Sequence, residues 1–243
     1  MGVGTEVKRF AVLLCAQDSD YVKRKYGGYL GVFVKMLGEE GEEWDVFRVA
    51  SGEFPDDNEI GLYDGFVITG SCNDAHGNDV WICKLMELLK KLDSTEKKVL
   101  GICFGHQIMI VGNISAWHSH LFFTDIHLSP SSAKLFSSLK IPETLPIIEC
   151  HRDEIKELPP KAEVIAWSTK TGIEMFKCGD HMMGIQGHPE YNDDILLHLI
   201  DRLQQRNDIA ESYADELKAN MGAVDPDREA WKKLCISFLK GRL

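Results

Sequence analysis

The chain has 243 residues, of which 44% are hydrophobic and 27% charged, a composition typical of a globular protein with a substantial core. Lys and Arg number 27 and Asp and Glu 38, so the formal net charge is -11, which argues against unspecific binding to nucleic acid. No apolar run is long enough for a membrane-spanning helix. We therefore expect one α/β domain, or one domain with a helical appendage, and neither nucleic acid nor a membrane as partner.

The cysteines indicate a reducing compartment. Their number is odd and no two of them form a CxxC pair; they are Cys15, Cys72, Cys83, Cys103, Cys150, Cys178 and Cys235. The first ten residues, MGVGTEVKRF, lack the apolar stretch of a signal peptide. We expect free thiols in a cytosolic protein, and the sequence leaves the oligomeric state open.

The first half of the chain alternates predicted strands and helices. Short apolar runs predict three of the strands, alternation of apolar and polar residues predicts the one at 44–49, and apolar residues at helical spacing predict the helices between them. The predicted strands are 9–15, 44–49, 66–69 and 98–102, and the predicted helices are 28–38 and 79–92. This alternation predicts an α/β fold with a mostly parallel sheet and helices on both faces.

The second half is less regular. Its pattern predicts strands at 145–150 and 162–167, a hairpin over 172–186 that turns near Gly179, and helices at 193–203, 208–221 and 227–239. We expect a main domain over 8–207, followed by C-terminal helices over 208–243.

A candidate nucleophile lies between a predicted strand and a helical pattern, in KVLGICFGHQ at 98–107. Gly101-x-Cys103-x-Gly105 is the arrangement of a nucleophile elbow with cysteine in place of serine. The glycines allow a tight turn, and the dipole of the following helix favours a thiolate. The alternative is a buried cysteine that only packs this turn.

A candidate base and its partner lie in IQGHPEY at 185–191. In an extended segment His188 and Glu190 point the same way, and Pro189 stiffens the backbone between them. Glu190 can then hold one imidazole nitrogen while the other faces Cys103, which makes the three a candidate catalytic triad. For this motif alone, a loop histidine beside a solvent-facing glutamate is the alternative.

A third motif, ITGSCNDA at 68–75, follows a predicted strand at the edge where open α/β sheets bind ligands. The backbone N–H groups of Gly70 and Phe104 are candidate donors of an oxyanion hole. An ordinary turn is the alternative for the loop.

In the order loop, cysteine, His-x-Glu, these motifs resemble the class I glutamine amidotransferase family. Longer motifs resemble one branch, the plant gamma-glutamyl peptidases: KRKYGGY, WDVFRVASGEFPDD, YDGFVITGS, GICFGHQI, CHRDEIKELP, IQGHPEYN and FLKGR. The resemblance spans 8–110 and 145–241 and implies that 8–207 is a glutamine amidotransferase-like catalytic domain. It implies the triad and oxyanion hole named above.

The resemblance also implies substrate contacts. Gln107, on the first turn after the elbow, would help to hold the α-amino and α-carboxylate groups of a glutamyl substrate. The strand end that carries Cys150, Arg152 and Asp153 would add contacts, largely through its backbone. We expect no cofactor and no metal ion.

Segment 108–145 departs from the family. It has Gly112 but no Gly-Gly pair, and it is shorter than in relatives, so we expect a divergent or replaced part of the sheet beside the active site. His118, His120 and His127 lie in it without suitably interleaved carboxylates or cysteines, so they do not predict a zinc site.

Together these features predict a cysteine hydrolase that cleaves the γ-glutamyl amide bond of glutathione or a glutathione conjugate through a γ-glutamyl thioester. Too few residues follow Tyr191 for a synthase domain, which favours a free-standing peptidase. One alternative is a glutaminase subunit that serves a separate synthase, which ammonia transfer to a partner would identify. The other is a catalytically impaired binding protein, for which the divergence of 108–145 is the argument.

Overall fold

The computed structural model of the chain describes residues 7–110, 114–221 and 226–243, with the backbone alone between 114 and 120. The strands are β1 (Arg9–Leu13), β2 (Glu43–Phe47), β3 (Gly65–Ile68), β4 (Lys98–Ile102), β5 (Ile114–Leu128), β6 (Thr144–Ile155), β7 (Ala162–Ser168), β8 (Gly172–Cys178) and β9 (Met182–Ile185). The helices are α1 (Asp20–Tyr26), α2 (Tyr29–Leu37), α3 (Val80–Ser94), α4 (Phe104–Ile108), α5 (Pro130–Leu135), α6 (Asp193–Gln205), α7 (Glu211–Asn220) and α8 (Arg228–Leu239). Most agree with the predicted elements to within a few residues, and α1, β5 and α5 are additional.

The strands form one mixed sheet in the order β2-β1-β3-β4-β9-β8-β7-β5-β6. The first five of these strands run parallel, as predicted for the first half of the chain. The remaining strands pair antiparallel. The direction changes at the predicted hairpin, between β8 and β9, where Gly179 has a φ of 59°. The sheet is therefore parallel in one half and antiparallel in the other.

Helices cover both faces of the sheet, as predicted, because side chains alternate along each strand. In β1, Phe10 and Val12 pack into a cluster that includes side chains of α2 and α8. Ala11 and Leu13, between them, face the opposite cluster, which α3 covers. A third cluster joins α6 and α7 to β5 and β6.

The last helix packs into the main core. Trp231, Leu234 and Phe238 of α8 are fully or almost fully buried in the same cluster as Phe10. The domain boundary after residue 207 remains a prediction. None of the helices in the described ranges is long and apolar enough to cross a membrane.

Segment 108–145 still contributes to the sheet. Its strand β5 pairs with β6 along most of its length and with β7 at its end. Gly112 and the side chains of His118 and His120 lie outside the described residues. The His127 Nδ1 atom lies 3.2 Å from the Thr144 hydroxyl. In the part of the chain that the structure describes, no group of three or more His, Cys, Asp or Glu side chains is placed so that it could hold a metal ion.

Candidate active site

Three neighbouring parallel strands bring the predicted catalytic residues together. β3 pairs with β4 and β4 pairs with β9, with Ile68 opposite Gly101 and Ile102 opposite Ile185. The chain therefore leaves all three strands at the same edge of the sheet, where open α/β folds bind ligands. The segments that follow carry Gly70, Cys103 and His188.

Cys103 has a strained backbone between β4 and α4. Its φ of 53° and ψ of -103° are unusual for a residue with a side chain and cost on the order of 1–3 kcal/mol. The Cys103 N–H donates to the Ile185 carbonyl at 2.8 Å, which ties the elbow to β9. Its side chain is 4% exposed. Such strain is common where a nucleophile is held in place, as at an elbow.

The two glycines of the elbow are needed for close packing. A Cβ atom on Gly105 would lie 2.5 Å from the Ile68 carbonyl oxygen, and one on Gly101 would lie 2.5 Å from the Met109 sulfur. Neither glycine has a positive φ, so Cys103 itself takes the positive φ of this turn. Helix α4 is only 5 residues long, so its dipole stabilises a thiolate at Cys103 less than that of a longer helix would.

Gly70 lies directly against the side chains of His188 and Cys103. A Cβ atom at Gly70 would be 2.9 Å from His188 Cε1 and 3.6 Å from Cys103 Cβ. Among the described residues, no acceptor bonds the backbone N–H of Gly70 or of Phe104. Both amides thus keep an unused donor, and their role as an oxyanion hole remains a prediction.

The His188 imidazole is bonded to Glu190 and faces Cys103. His188 Nδ1 lies 2.8 Å from Glu190 Oε1, and the two residues are 4% and 7% exposed. Because a carboxylate only accepts, Nδ1 carries the hydrogen and Nε2 is left for the cysteine. The motif forms a turn rather than the expected extended segment, with the Tyr191 N–H 3.4 Å from the His188 carbonyl.

The surroundings of His188 favour its charged form. Burial acts to lower the pKa of the imidazole, but the Glu190 carboxylate and the hydrogen-bonded Cys103 sulfur outweigh it. The pKa of His188 is therefore raised well above its ordinary value. This arrangement can hold a thiolate–imidazolium pair, which is the reactive state of a cysteine nucleophile.

Two tyrosines lie beside the triad that the sequence did not predict as part of the site. The Tyr191 ring stacks on the His188 imidazole, and Tyr29 of α2 is hydrogen-bonded to Tyr191. Tyr191 belongs to the IQGHPEY motif, but a stacked ring leaves no signal in a local pattern. Tyr29 comes from the other end of the chain, so its place follows only from the fold.

The predicted substrate-binding residues differ in their burial and in their contacts. Gln107 is buried, and its Nε2 donates to the Asp153 carbonyl at 2.7 Å. The Cys150 carbonyl oxygen lies 3.7 Å from Cys103 Sγ, whereas burial raises the pKa of the Cys150 thiol to about 11. Arg152 is exposed and the Asp153 side chain is half-buried, so both are accessible to a ligand. Their contacts with a substrate remain predictions.

Comparison with known proteins agrees with the resemblance. The family model "Glutamine amidotransferase class-I" matches residues 25–194. Gamma-glutamyl peptidase 5 of Arabidopsis thaliana is 49% identical, over 98% of this chain and 97% of its own length. Gamma-glutamyl peptidase 3 of the same plant is 46% identical, over 99% of this chain and 100% of its own length.

A solved structure confirms the fold. A glutamine amidotransferase of Thermotoga maritima superposes with a TM-score of 0.72, covering 97% of this chain and 99% of that one, at 17% identity. At that identity the likeness concerns the fold alone, whereas the plant relatives are similar over almost the whole sequence. The chain therefore belongs to the class I glutamine amidotransferase family and, within it, to the gamma-glutamyl peptidases.

Proposed function

We propose that this chain is a γ-glutamyl peptidase that cleaves its substrate with a triad of Cys103, His188 and Glu190. The observation that carries the proposal is the contact of Cys103, on its strained elbow, with an imidazole whose other nitrogen is held by Glu190. The bond to be cleaved is inferred from the plant relatives, which are named gamma-glutamyl peptidases.

In the first step the Cys103 thiolate attacks the γ-carbonyl carbon of the substrate. The oxygen that becomes negative is stabilised by the N–H groups of Gly70 and Phe104. The His188 imidazolium gives its proton to the leaving nitrogen, and the amide bond breaks. The products are an amine and a γ-glutamyl thioester on Cys103.

In the second step water hydrolyses the thioester. Neutral His188 takes a proton from the water as it attacks, and the same two N–H groups stabilise the second oxyanion. The sulfur leaves as a thiolate and glutamate is released. Glu190 keeps the imidazole in one orientation and stabilises its charged form through both steps.

The proposed substrates are glutathione and its conjugates, and the proposed compartment is the cytosol. Glutathione carries free α-amino and α-carboxylate groups beside its γ-amide, and polar groups for them are offered by Gln107 of α4 and by Arg152 and Asp153 of β6. All seven cysteines of the chain are free, which supports a reducing compartment.

Glutamate release from glutathione, an S-substituted glutathione and glutamine tests the proposal. Cys103→Ala and Cys103→Ser should lower turnover on the order of 10⁴-fold or more. Cys83→Ala, at an exposed cysteine on α3, is the control and should keep full activity. If Cys103→Ala kept a tenth of the rate, the nucleophile would be misassigned. Turnover of glutamine alone would favour the glutaminase alternative.

A further inference from the structure

Behind the triad, four polar side chains of β6, β7 and β8 are buried together. Glu149, His151, Ser168 and Glu174 are 0%, 7%, 3% and 1% exposed. The Ser168 hydroxyl donates to Glu174 Oε1 at 2.5 Å, and the two carboxyl groups are within hydrogen-bond contact of each other. Glu149 Oε2 lies 3.3 Å from His151 Nε2. Two buried carboxyl groups in contact are unusual, because each anion would repel the other.

Hydrogen bonding indicates how many protons this cluster holds. His151 Nδ1 lies 3.0 Å from the Asp153 carbonyl oxygen, which only accepts, so Nδ1 carries the hydrogen and Nε2 of the neutral ring is an acceptor. With both carboxyl groups ionised, both Glu149 oxygens, Glu174 Oε2 and His151 Nε2 have no partner among the described residues. A proton on each carboxyl group removes the conflict. Glu174 can then donate to Glu149, and a protonated Glu149 Oε2 has His151 Nε2 as an acceptor 3.3 Å away.

Burial favours the same protonation states. It raises the pKa of Glu149 to about 8 and that of Glu174 to about 9, and it lowers the pKa of His151. Two further histidines face the cluster. They are His188, from the segment after β9, and His106 of α4, whose pKa burial lowers to about 3. The other acidic side chain near His151 is Glu154, further along β6. Glu149, Glu174, His151 and His106 are thus neutral at pH 7.

The hydrogen-bond chain ends at a group that holds Gln107. The Asp153 carbonyl, which accepts from His151, also accepts from Gln107 Nε2 at 2.7 Å. One end of the neutral chain therefore fixes a side chain of the proposed substrate site.

Strands β6 and β8, which carry Glu149 and Glu174, also hold the segment that contains His188. The N–H groups of Gln186 and His188 donate to the carbonyls of Glu174 and Ile148, each at 2.8 Å. Between them, a Cβ atom at Gly187 would lie 2.5 Å from Glu149 Oε1, so the carboxyl group packs directly against the backbone there.

We propose that Glu149 and Glu174 form a pair of protonated, neutral carboxyl groups that completes a hydrogen-bond chain from Ser168 to the Asp153 carbonyl and so positions Gln107 and His188. Both glutamates are positioning residues, because they act through these groups. The positioning role rests on the proposed function, because the reaction in which Gln107 and His188 take part is the proposed peptidase reaction. The protonation of the pair does not depend on that function.

Amide substitutions test the role. A glutamine side chain offers one donor and one acceptor direction, as a protonated carboxyl group does. Glu149→Gln and Glu174→Gln should therefore keep kcat at pH 7 within about threefold, whereas Glu149→Ala breaks the chain and should lower kcat about tenfold or more. Glu163→Gln, at an exposed carboxylate of β7, is the matched control.

The pH dependence of stability gives a second readout. An unfolded glutamate has a pKa of about 4.3, so between that value and pH 8–9 the folded chain holds protons that the unfolded chain releases. The stability of the wild type should therefore fall as the pH rises through this range. In Glu149→Gln that fall should be smaller, and the variant should keep its activity and its rate of Cys103 alkylation to higher pH than the wild type.

Infrared spectroscopy of the whole protein reports the protons directly. The wild type at neutral pH should show the carbonyl band of a buried protonated carboxyl group, reduced in Glu149→Gln and unchanged in Glu163→Gln. Absence of the band would overturn the proposal. So would a Glu149→Gln variant that melts like the wild type but loses activity, since Glu149 would then act as an anion. If the wild type released no glutamate, the proposed function would fail, while the band and the alkylation rate would still decide the inference.

Discussion

The ring of Tyr191 lies parallel to the imidazole of His188, with 4.1 Å between the ring centroids and 8° between the planes. Tyr191 is buried, and its hydrogen bond to Tyr29 fixes it from the side of α2. An aromatic face stabilises a cation above it, by roughly 0.5–2 kcal/mol. The stacked ring therefore favours the imidazolium that the proposed reaction needs and limits rotation of the imidazole.

We expect Tyr191→Leu to lower kcat roughly 2- to 30-fold, which corresponds to the loss of that stabilisation. Tyr191→Phe keeps the ring and should stay close to the wild type. Removal of the aromatic ring should also lower the pKa of His188. Alkylation of Cys103 should therefore slow more in Tyr191→Leu than in the wild type as the pH falls. Equal kinetics for the leucine and phenylalanine variants would mean that the ring only fills space.

The raised pKa of His188 predicts how labelling of the cysteines depends on pH. The imidazole stays protonated at neutral pH and can hold Cys103 as a thiolate, whereas an ordinary exposed thiol has a pKa of about 8.5 and reacts about tenfold more slowly for each pH unit below it. Between pH 8 and pH 6, where the raised pKa keeps His188 protonated, iodoacetamide should still label Cys103.

Two exposed cysteines, Cys72 and Cys83, serve as internal controls in the same experiment. Mass spectrometry at pH 6 should find Cys103 modified before either of them. Preferential labelling of either exposed cysteine at that pH would contradict a thiolate at Cys103.

Local periodicity is sufficient to predict the parallel half of the sheet. Three of its strands, β1, β3 and β4, are short apolar runs, and helices lie between them along the chain, which is the pattern of a parallel sheet. The antiparallel half depends on contacts between distant residues. β5 pairs with β6 across a connection that contains α5. The sequence of β5 has no glycine or turn signal that would mark its register against β6.

The site is predictable where a motif is continuous. Cys103 and His188 follow from GICFGHQ and IQGHPEY, whereas Tyr29 and the pair of Glu149 and Glu174 depend on side chains that meet from separate elements. One signal was present in the sequence. Glu149 interrupts an apolar strand run, and a carboxyl group at a position that the pattern predicts to be buried indicates a special environment.

Trp231 tests whether the C-terminal helices form a separate extension. It is 0% exposed in the main core cluster, and its Nε1 donates to the Pro146 carbonyl at 3.0 Å. Trp231→Ala should lower the free energy of unfolding of the whole chain by about 3–5 kcal/mol in urea denaturation. Trp167→Ala, at a side chain that is 44% exposed, should cost about 1 kcal/mol or less. An unchanged urea midpoint for Trp231→Ala would mean that α8 unfolds separately from the sheet.

Glu190→Gln separates the orienting role of this residue from its charge. The amide oxygen can still accept the hydrogen bond that Oε1 receives from His188 Nδ1 at 2.8 Å, so the imidazole should keep its orientation. The amide nitrogen would take the place of Oε2, which is buried and has no hydrogen-bond partner among the described residues. Loss of the carboxylate charge lowers the pKa of His188, because Glu190 is the largest of the effects that raise it.

We therefore expect the Glu190→Gln variant to lose roughly 10- to 1,000-fold in kcat with little change in KM, less than Cys103→Ala loses, because a thiol depends less on its base than a hydroxyl does. Steady-state glutamate release measures both constants. The acid limb of the rate of Cys103 alkylation should move to higher pH in the variant, since a weaker imidazolium holds the thiolate less well. Unchanged kcat and an unchanged acid limb would reduce the site to a pair of Cys103 and His188, with Glu190 as a buried structural carboxylate.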